Sequence, residues 1–375
     1  MDFTFNDEQT LIQGQVEQFI LRDYDWETRQ SFISSDLGFG SDNWKTFAEL
    51  GWLGISLSED SGGFGGSAID TMIVMEEFGK GLVLEPFLET VVLCAGLIDD
   101  AGSPEQKKDL LSEVVEGSMQ LALAYAEPQS RFNLSDVMTE AKQDGDNFVL
   151  NGFKSVVMNG PNADQIIIST RTSGDQRDKQ GISLFVVDSN STGLSFRDYQ
   201  TVDNRRASEI TLESVIVPAS ALIGELNQGL QYLESSIDRA ILAISAEAVG
   251  AMEVLYKTTV EYTKTREQFG TAIGKFQVLQ HRMVDMFMEY EQCKSLLYMA
   301  TMKHDESSPD ARKSISGLKY QVGNASKFIG QQAVQLHGGM GVTDELNVGH
   351  YFKRLTTIGT IFGNSDHHLK QYTAL

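Results

Sequence analysis

The chain has little cysteine, little positive charge and no long apolar run, and each shortage removes a class of protein. Cys94 and Cys293 are its only two cysteines. They are too few and too far apart for a disulfide framework or a thiolate metal site, so a reducing compartment is expected. Lysine and arginine number 30 against 52 acidic residues, a formal net charge of -22. No face is then expected to carry the positive field that nucleic-acid phosphates require, and the acidity reads as solubility. No stretch of eighteen apolar residues occurs, which argues against a membrane span. The opening MDFTFNDEQTLI has neither a basic nor an apolar signal region, so an untargeted, cytoplasmic protein is the expectation. With 41% apolar and 22% charged residues over 375 positions, the composition is that of a globular chain long enough for two or three domains.

What is present changes texture twice. From Asn6 to about residue 118, apolar positions three and four apart predict helices, as in DEQTLIQGQVEQFIL and AIDTMIVMEEFGKGLV. The glycine-rich SEDSGGFGGSA at 58–68 reads as an inter-helix loop, since it lacks the strand and lysine of a phosphate-binding loop. From about 120, short runs rich in Val, Ile and Phe, such as DQIIIST and ISLFVVD, predict antiparallel strands with hairpins, ending near Pro218. From about 228, three helical periods each exceed 25 residues, the mark of a bundle. The fold class expected is multi-domain α+β: a helical domain at 1–118, a β domain at 119–227 and a helical bundle at 228–375.

Two segments carry chemistry. In AVQLHGGMGV, residues 333–342, Gly338 and Gly339 leave the backbone open to close approach. The plainer alternative is a helix C-cap. In TREQFG, residues 265–270, Arg266 offers a fork for phosphate oxygens, against the alternative of a solvated charge at a helix end.

TREQFG followed by QLHGGMG, with DEQTLI, GGFGG and AEP upstream in order, resembles the acyl-CoA dehydrogenase family over almost the whole chain. The resemblance implies an all-α N-terminal domain, a β domain and a C-terminal four-helix bundle. It also implies FAD, held at its pyrophosphate and adenine end across a subunit interface by Arg266, Gln268, Phe269, Gln335, Gly338 and Gly339. The implied reaction removes the α proton of an acyl-CoA thioester with a carboxylate and passes the β hydrogen to the flavin. Electron-transferring flavoprotein is the implied acceptor and a tetramer the implied assembly.

The chain departs from that family at several positions. The usual base is a glutamate about 27 residues beyond the glutamine of the glycine motif. Counted from Gln335 that position is Phe362, which cannot take a proton; Gly363 matches, and Asn364 replaces a threonine on the flavin side. The backbone N–H of 362 still suits a thioester carbonyl, which assigns Phe362 and Gly363 to the substrate. Some relatives place the base near the start of the first bundle helix, here Ala240. Arg239 and Asp238 precede it, and a two-residue offset turns a side chain by about 200°. Asp238 is the candidate base and Arg239 a candidate substrate contact, with an N-terminal-turn carboxylate as the alternative for Asp238. Glu247 lies two turns on from Ala240, where a polar contact within the bundle is the expected role. On the ring side, Ala126 and Met158 stand where hydroxyls serve the flavin, and Val156 where an indole stacks. An intact nucleotide side beside an altered ring side points to two subunits sharing a flavin in a homo- or hetero-tetramer, with a non-catalytic scaffold subunit or a self-sufficient homotetramer using an atypical base as the alternatives. The nearest resemblance is to the small subunit of pimeloyl-CoA dehydrogenase-like enzymes, through AEAVGAM, QQAVQLHGG and VGHYFKRLT. Adjacent His367 and His368 diverge and have no third ligand at metal spacing, so no metal is expected. His337, His350 and Lys353 are placed near the nucleotide.

Overall fold

The computed structural model describes residues 4–375. In chain order the N-terminal helices are α1 (Asp7–Asp23), α2 (Trp26–Ile33), α3 (Ser41–Glu49) and α4 (Ala68–Gly81). After these come the short α5 (Gly96–Ala101), α6 (Pro104–Gln106) and α7 (Ser112–Val115). The strands are β1 (Leu121–Ala124), β2 (Glu140–Asp144), β3 (Asn147–Met158), β4 (Gln165–Arg171) and β5 (Ile182–Asp188). They continue as β6 (Leu194–Gln200), β7 (Arg206–Pro218) and β8 (Leu222–Ile223), with a small hairpin of β9 (Glu267–Gln268) and β10 (Thr271–Ala272). The C-terminal helices are α8 (Gly229–Thr265), α9 (Gln277–Asp305), α10 (Ala311–His337), α11 (Val348–Ile358) and α12 (Ser365–Ala374).

The chain forms two compact units. The first comprises the residues up to Gln30, Ser67–Val83 and Ile241–Leu375, and the second Ser31–Gly66 and Leu84–Ala240.

In the first unit, Asn6 opens α1 with a capping box: its side chain accepts from the Gln9 N–H at 2.8 Å while Gln9 Oε1 accepts from the Asn6 N–H at 3.2 Å. Ser67 and Asp70 do the same for α4. Two glycines let α4 and α8 touch backbone to backbone. A Cβ on Gly79 would lie 2.0 Å from the Glu247 carbonyl oxygen, and one on Gly250 1.8 Å from that of Glu76, so neither position admits a side chain. Around this crossing Lys294 meets Glu76 at 3.1 Å and Lys80 meets Glu77 at 2.7 Å, which neutralises carboxylates that the packing buries.

The second unit is built on one sheet with the path β6-β7-β3-β2-β4-β5-β8, to which β1 adds by pairing with β4. Most pairs are antiparallel, and β2–β3, β4–β5 and β6–β7 are hairpin neighbours, as the alternation predicts. A purely antiparallel sheet is corrected to a mixed one: β1 runs parallel to β4, Leu121 opposite Gln165 and Ala124 opposite Ile168, and β2 meets β4 in parallel at Glu140 and Arg171. The physical reason is connectivity. The β2–β3 hairpin intervenes between β1 and β4, and the four residues LALA, all buried, carry no alternation that betrays direction. Phe148, Leu150, Ile166, Ile168, Phe185, Ile210 and Val217 form the core on one face, with Phe148 and Phe185 rings 4.9 Å apart. Each such side chain contributes roughly 1.5–3 kcal/mol on burial.

Among the described residues no helix is long and apolar enough to cross a membrane, and both cysteines are free and buried.

Candidate functional site

The nucleotide-end candidates lie in the first unit. Beyond α8 the chain turns through the β9–β10 hairpin, with Gln268 opposite Thr271. Phe269 and Gly270 make the two-residue turn with φ of +56° and +77°, the doubly positive geometry that hairpin twist favours. Glycine adopts it freely; for Phe269 it is a strained position, and the ring stands 93% exposed. The Arg266 and Gln268 side chains are also exposed and find no partner among the described residues.

The second motif closes α10. Helix hydrogen bonding stops at His337, and Gly338 takes φ +61° and ψ -140° as the C-cap, its N–H donating to the Gln335 carbonyl. That part of the glycine signature is therefore the plain helix stop. Gly341 is explained by packing, since a Cβ there would meet the Val334 carbonyl oxygen at 2.7 Å. Gly339 is explained by neither: it has no positive φ, and a Cβ on it, as on Gly338, meets nothing within 4 Å. Its absent side chain leaves open space outside the chain. Gln335, Gly338 and Gly339 are all exposed, so the turn is not buried within the helices.

One contact ties the two motifs together. The Tyr262 ring of α8, four residues before Arg266, stacks on the His337 ring at 4.3 Å, and its hydroxyl donates to the His337 carbonyl at 3.4 Å. His337 Nδ1 donates to the Ala333 carbonyl at 2.8 Å, which leaves Nε2 as an acceptor, buried and without a partner among the described residues. Burial pulls the His337 pKa below its ordinary value, keeping the ring neutral. His350 is buried edge-on to Trp26, at 4.6 Å, and Lys353 reaches Asp344 at 3.4 Å.

The substrate-end candidates of this unit sit in the turn after α11. Phe362 has φ +59° and Gly363 +115°, where a Cβ would fall 2.6 Å from both the His367 and His368 rings. Glycine is thus obligatory at 363. Asn364 caps α12, its side chain accepting from the His367 N–H at 3.0 Å. His367 and His368 stand perpendicular, ring centroids 5.2 Å apart. Glu247 is buried and fully engaged by Arg354, in the polar contact within the bundle that the sequence predicts.

The ring-side candidates lie in the second unit. The Ser155 N–H donates to the Ala126 carbonyl at 2.9 Å, which brings Ala126, Val156 and Met158 into one neighbourhood. There β3 bulges against β7 between Lys154 and Val157, and Val156 takes φ +53° with its side chain half out in solvent. Met158 lines a crevice with Glu89, Asn159 and Arg206. Behind this wall Lys154, completely buried, donates to Glu127 at 2.7 Å and to Ser169 at 3.0 Å. Glu127 also accepts from the Met138 and Thr139 N–H groups. Asp238 is half-buried, and Ala240, two residues on, is fully buried. Arg239 pairs with Asp100 at 2.6 Å, while its Nε and second terminal nitrogen are buried without partners among the described residues.

Sequence reasoning missed Lys319, Lys154 with Glu127, and the Tyr262–His337 stack. Lys319 had a signal: it follows Ile315 by four and precedes Val322 by three, which puts a lysine on the apolar stripe of α10. The other two involve partners far apart in sequence.

Three family profiles match the chain: the acyl-CoA dehydrogenase N-terminal domain over residues 6–118, the middle domain over 122–215 and the C-terminal domain over 227–374. The chain is similar to the short-chain specific acyl-CoA dehydrogenase of Clostridium acetobutylicum, at 30% identity over 363 residues, covering 93% of this chain and 92% of the relative. It is similar to the L-prolyl-(peptidyl-carrier protein) dehydrogenase of a Serratia strain, at 31% over 377 residues, covering 98% and 96%. Among solved structures, the FAD complex of PigA matches with a TM-score of 0.93 and 28% identity, over 100% of this chain and 98% of that one.

Proposed function

We propose how this chain, which belongs to the acyl-CoA dehydrogenase family and is an FAD-dependent oxidoreductase acting on CH–CH bonds, divides that work with a second polypeptide. In the family reaction FAD supplies the hydride acceptor for the β hydrogen of an acyl thioester. This chain's own part is to hold, orient and deprotonate. Arg266 and the open backbone at Gly339 would hold the diphosphate, with Gly338, Gln268, Phe269 and Gln335 beside it. The residues suit that end of FAD: donors and an aromatic ring stand exposed, and a backbone lies bare where no atom of the chain fills the space. They do not suit the ring end, where Ala126, Val156 and Met158 carry no side-chain hydrogen-bond donor. This contrast is the single observation that carries the proposal. A sister subunit binds the flavin ring, and this chain closes its nucleotide end, as the likeness to pimeloyl-CoA dehydrogenase small subunits suggests.

The substrate is an acyl-CoA, whose thioester carbonyl takes a hydrogen bond from the Phe362 N–H beside Gly363. In the second unit, taken by itself, Asp238 is the base proposed and Arg239 the proposed substrate contact. Asn364 would serve the flavin through the amide end not used in capping α12. The assembly is a hetero-tetramer, reoxidised by electron-transferring flavoprotein, in the cytoplasm. The three domains are assigned to 1–118, 119–227 and 228–375.

Expression tests the division. The chain alone is expected to purify with little flavin, and with a co-expressed homologue that retains the ring-side residues it is expected to be yellow and bleached by acyl-CoA. A chain that is yellow and bleached by itself overturns the proposal. Turnover of the pair that survives Asp238→Asn moves the base to the sister subunit.

A further inference from the structure

The two segments assigned to the diphosphate leave the fold from the ends of different helices. Tyr262 lies in the last turn of α8, and its carbonyl accepts from the Arg266 N–H at 2.8 Å, so the root of Arg266 hangs on that turn. Beyond it the residues 264–270 are all exposed, and the β9–β10 hairpin closes as the Ile273 N–H donates to the Arg266 carbonyl at 2.8 Å. His337 is the last residue of α10. Its Nδ1 holds the Ala333 carbonyl, and Gly341 returns so close that a Cβ there would lie 3.1 Å from the His337 Cβ. The glycine turn is thus wrapped on His337, as the arginine arm is rooted on Tyr262.

Where these helix ends meet, the two rings stack, with centroids 4.3 Å apart and planes 27° from parallel. The Tyr262 hydroxyl donates to the His337 carbonyl at 3.4 Å. That carbonyl belongs to the peptide whose N–H, that of Gly338, donates to the Gln335 carbonyl, so the peptide that starts the glycine turn is held at both ends. Stability alone accounts poorly for the histidine. It is buried, and its Nε2 meets no partner among the described residues, a cost that an apolar side chain would not carry. What the pair supplies is geometry, since stacked rings accept a narrow range of spacing and tilt.

We propose that Tyr262 and His337 are positioning residues for the flavin nucleotide: their stack sets Arg266 and the bare backbone at Gly339 at the spacing of one diphosphate. This rests on the reading that Arg266 and Gly339 hold that diphosphate. The Tyr262 hydroxyl is spent on His337 and the His337 ring is buried, so the pair acts through those two groups. An exposed arm that the ligand itself had to order would lose affinity by that ordering, and the stack removes part of the loss before the ligand arrives.

Titration of FAD into the flavin-stripped full chain, co-expressed with its sister chain and followed by quenching of flavin fluorescence, tests this through a double-mutant cycle. Tyr262→Leu is expected to weaken FAD binding about ten-fold, and Arg266→Ala about ten-fold or more. The two changes together are expected to bind no more than about three-fold more weakly than Arg266→Ala alone, because a spacing matters only while both arms are present. Tyr262→Phe, which keeps the ring, is expected to recover most of the loss. Should Tyr262→Leu not fold, His337→Leu breaks the stack from its other member and carries the same expectations. Losses that multiply in the double variant, or wild-type affinity in folded Tyr262→Leu while Arg266→Ala binds weakly, overturn the positioning role and leave the nucleotide reading intact. Wild-type affinity in Arg266→Ala removes that reading and, with it, this inference.

Discussion

Glu247 and Arg354 meet as a closed fork inside the first unit: Nε donates to one carboxylate oxygen at 2.7 Å and a terminal nitrogen to the other at 2.6 Å, with both side chains buried. A carboxylate held at both oxygens by a guanidinium is a poor proton acceptor, so Glu247 serves architecture although it shares a helix face with Ala240. It also lies at the backbone contact with Gly79, where α4 and α8 cross.

Removing one member of this pair leaves the other as an uncompensated buried charge. Arg354→Met is expected to cost about 3–5 kcal/mol in urea unfolding. The double change Glu247→Leu with Arg354→Met is expected to be more stable than either single change, since it leaves no stranded ion. A double variant that is as unstable as the sum of the singles would mean that the pair itself, not its desolvation, holds the helices.

The proposed nucleotide-end residues separate ligand effects from folding effects, because they support little else. Arg266→Ala removes an exposed side chain with no partner among the described residues, so melting is expected to stay within about 0.5 kcal/mol of wild type. Flavin affinity should fall roughly ten- to a hundred-fold, the worth of a charged hydrogen bond. Gly339→Ala adds a methyl into open space and should behave likewise, whereas Gly338→Ala should lower melting as well, since its φ and ψ suit only glycine. The ratio of flavin to protein absorbance checks all three, and unchanged occupancy in Arg266→Ala and Gly339→Ala would remove the diphosphate assignment.

Local signals were readable where local physics decides. The Asn6 cap, the three long bundle helices and the hairpins of the sheet follow from periodicity and from capping residues close in sequence. The β1–β4 pairing did not, because four consecutive buried residues have no period and their partner lies more than forty residues away. At the site, Gly339 and Arg266 are exposed, and their assignment to a diphosphate rests on motif resemblance rather than on glycine spacing. Asn364 carried a second role that spacing hides: an N-cap for α12. Lys319 was passed over because a lysine is ordinarily read as surface, although its position between Ile315 and Val322 already placed it inward.

That buried lysine gives stability a definite dependence on pH. Its pKa falls from 10.5 to about 7 on burial. Between those values the unfolded chain keeps a proton that the folded chain has released, so stability rises with pH across the window. Lys319→Met lacks this linkage. The wild-type protein is therefore expected to gain stability relative to Lys319→Met from pH 7 to pH 10, as read from paired thermal melts. Parallel curves would mean that the amine stays charged in the folded protein.

Val156 offers the converse case, a residue whose conformation opposes its chemistry. At φ +53° its branched Cβ crowds the backbone, which costs about 1–2 kcal/mol, and a side chain 54% exposed returns little by burial. Glycine tolerates that φ but loses roughly 0.5–1 kcal/mol through the greater freedom of its unfolded chain. Val156→Gly is therefore expected to stabilise the second unit by about 1 kcal/mol in urea unfolding. The bulge is fixed independently of this side chain, since the Ser155 N–H holds the Ala126 carbonyl and the ladder resumes at Val157 opposite Ser208. Strain kept at this position fits a surface that a ligand or a neighbouring chain completes. A neutral or destabilising result would show instead that Val156 packs well enough to offset its backbone, and the position would then be structural.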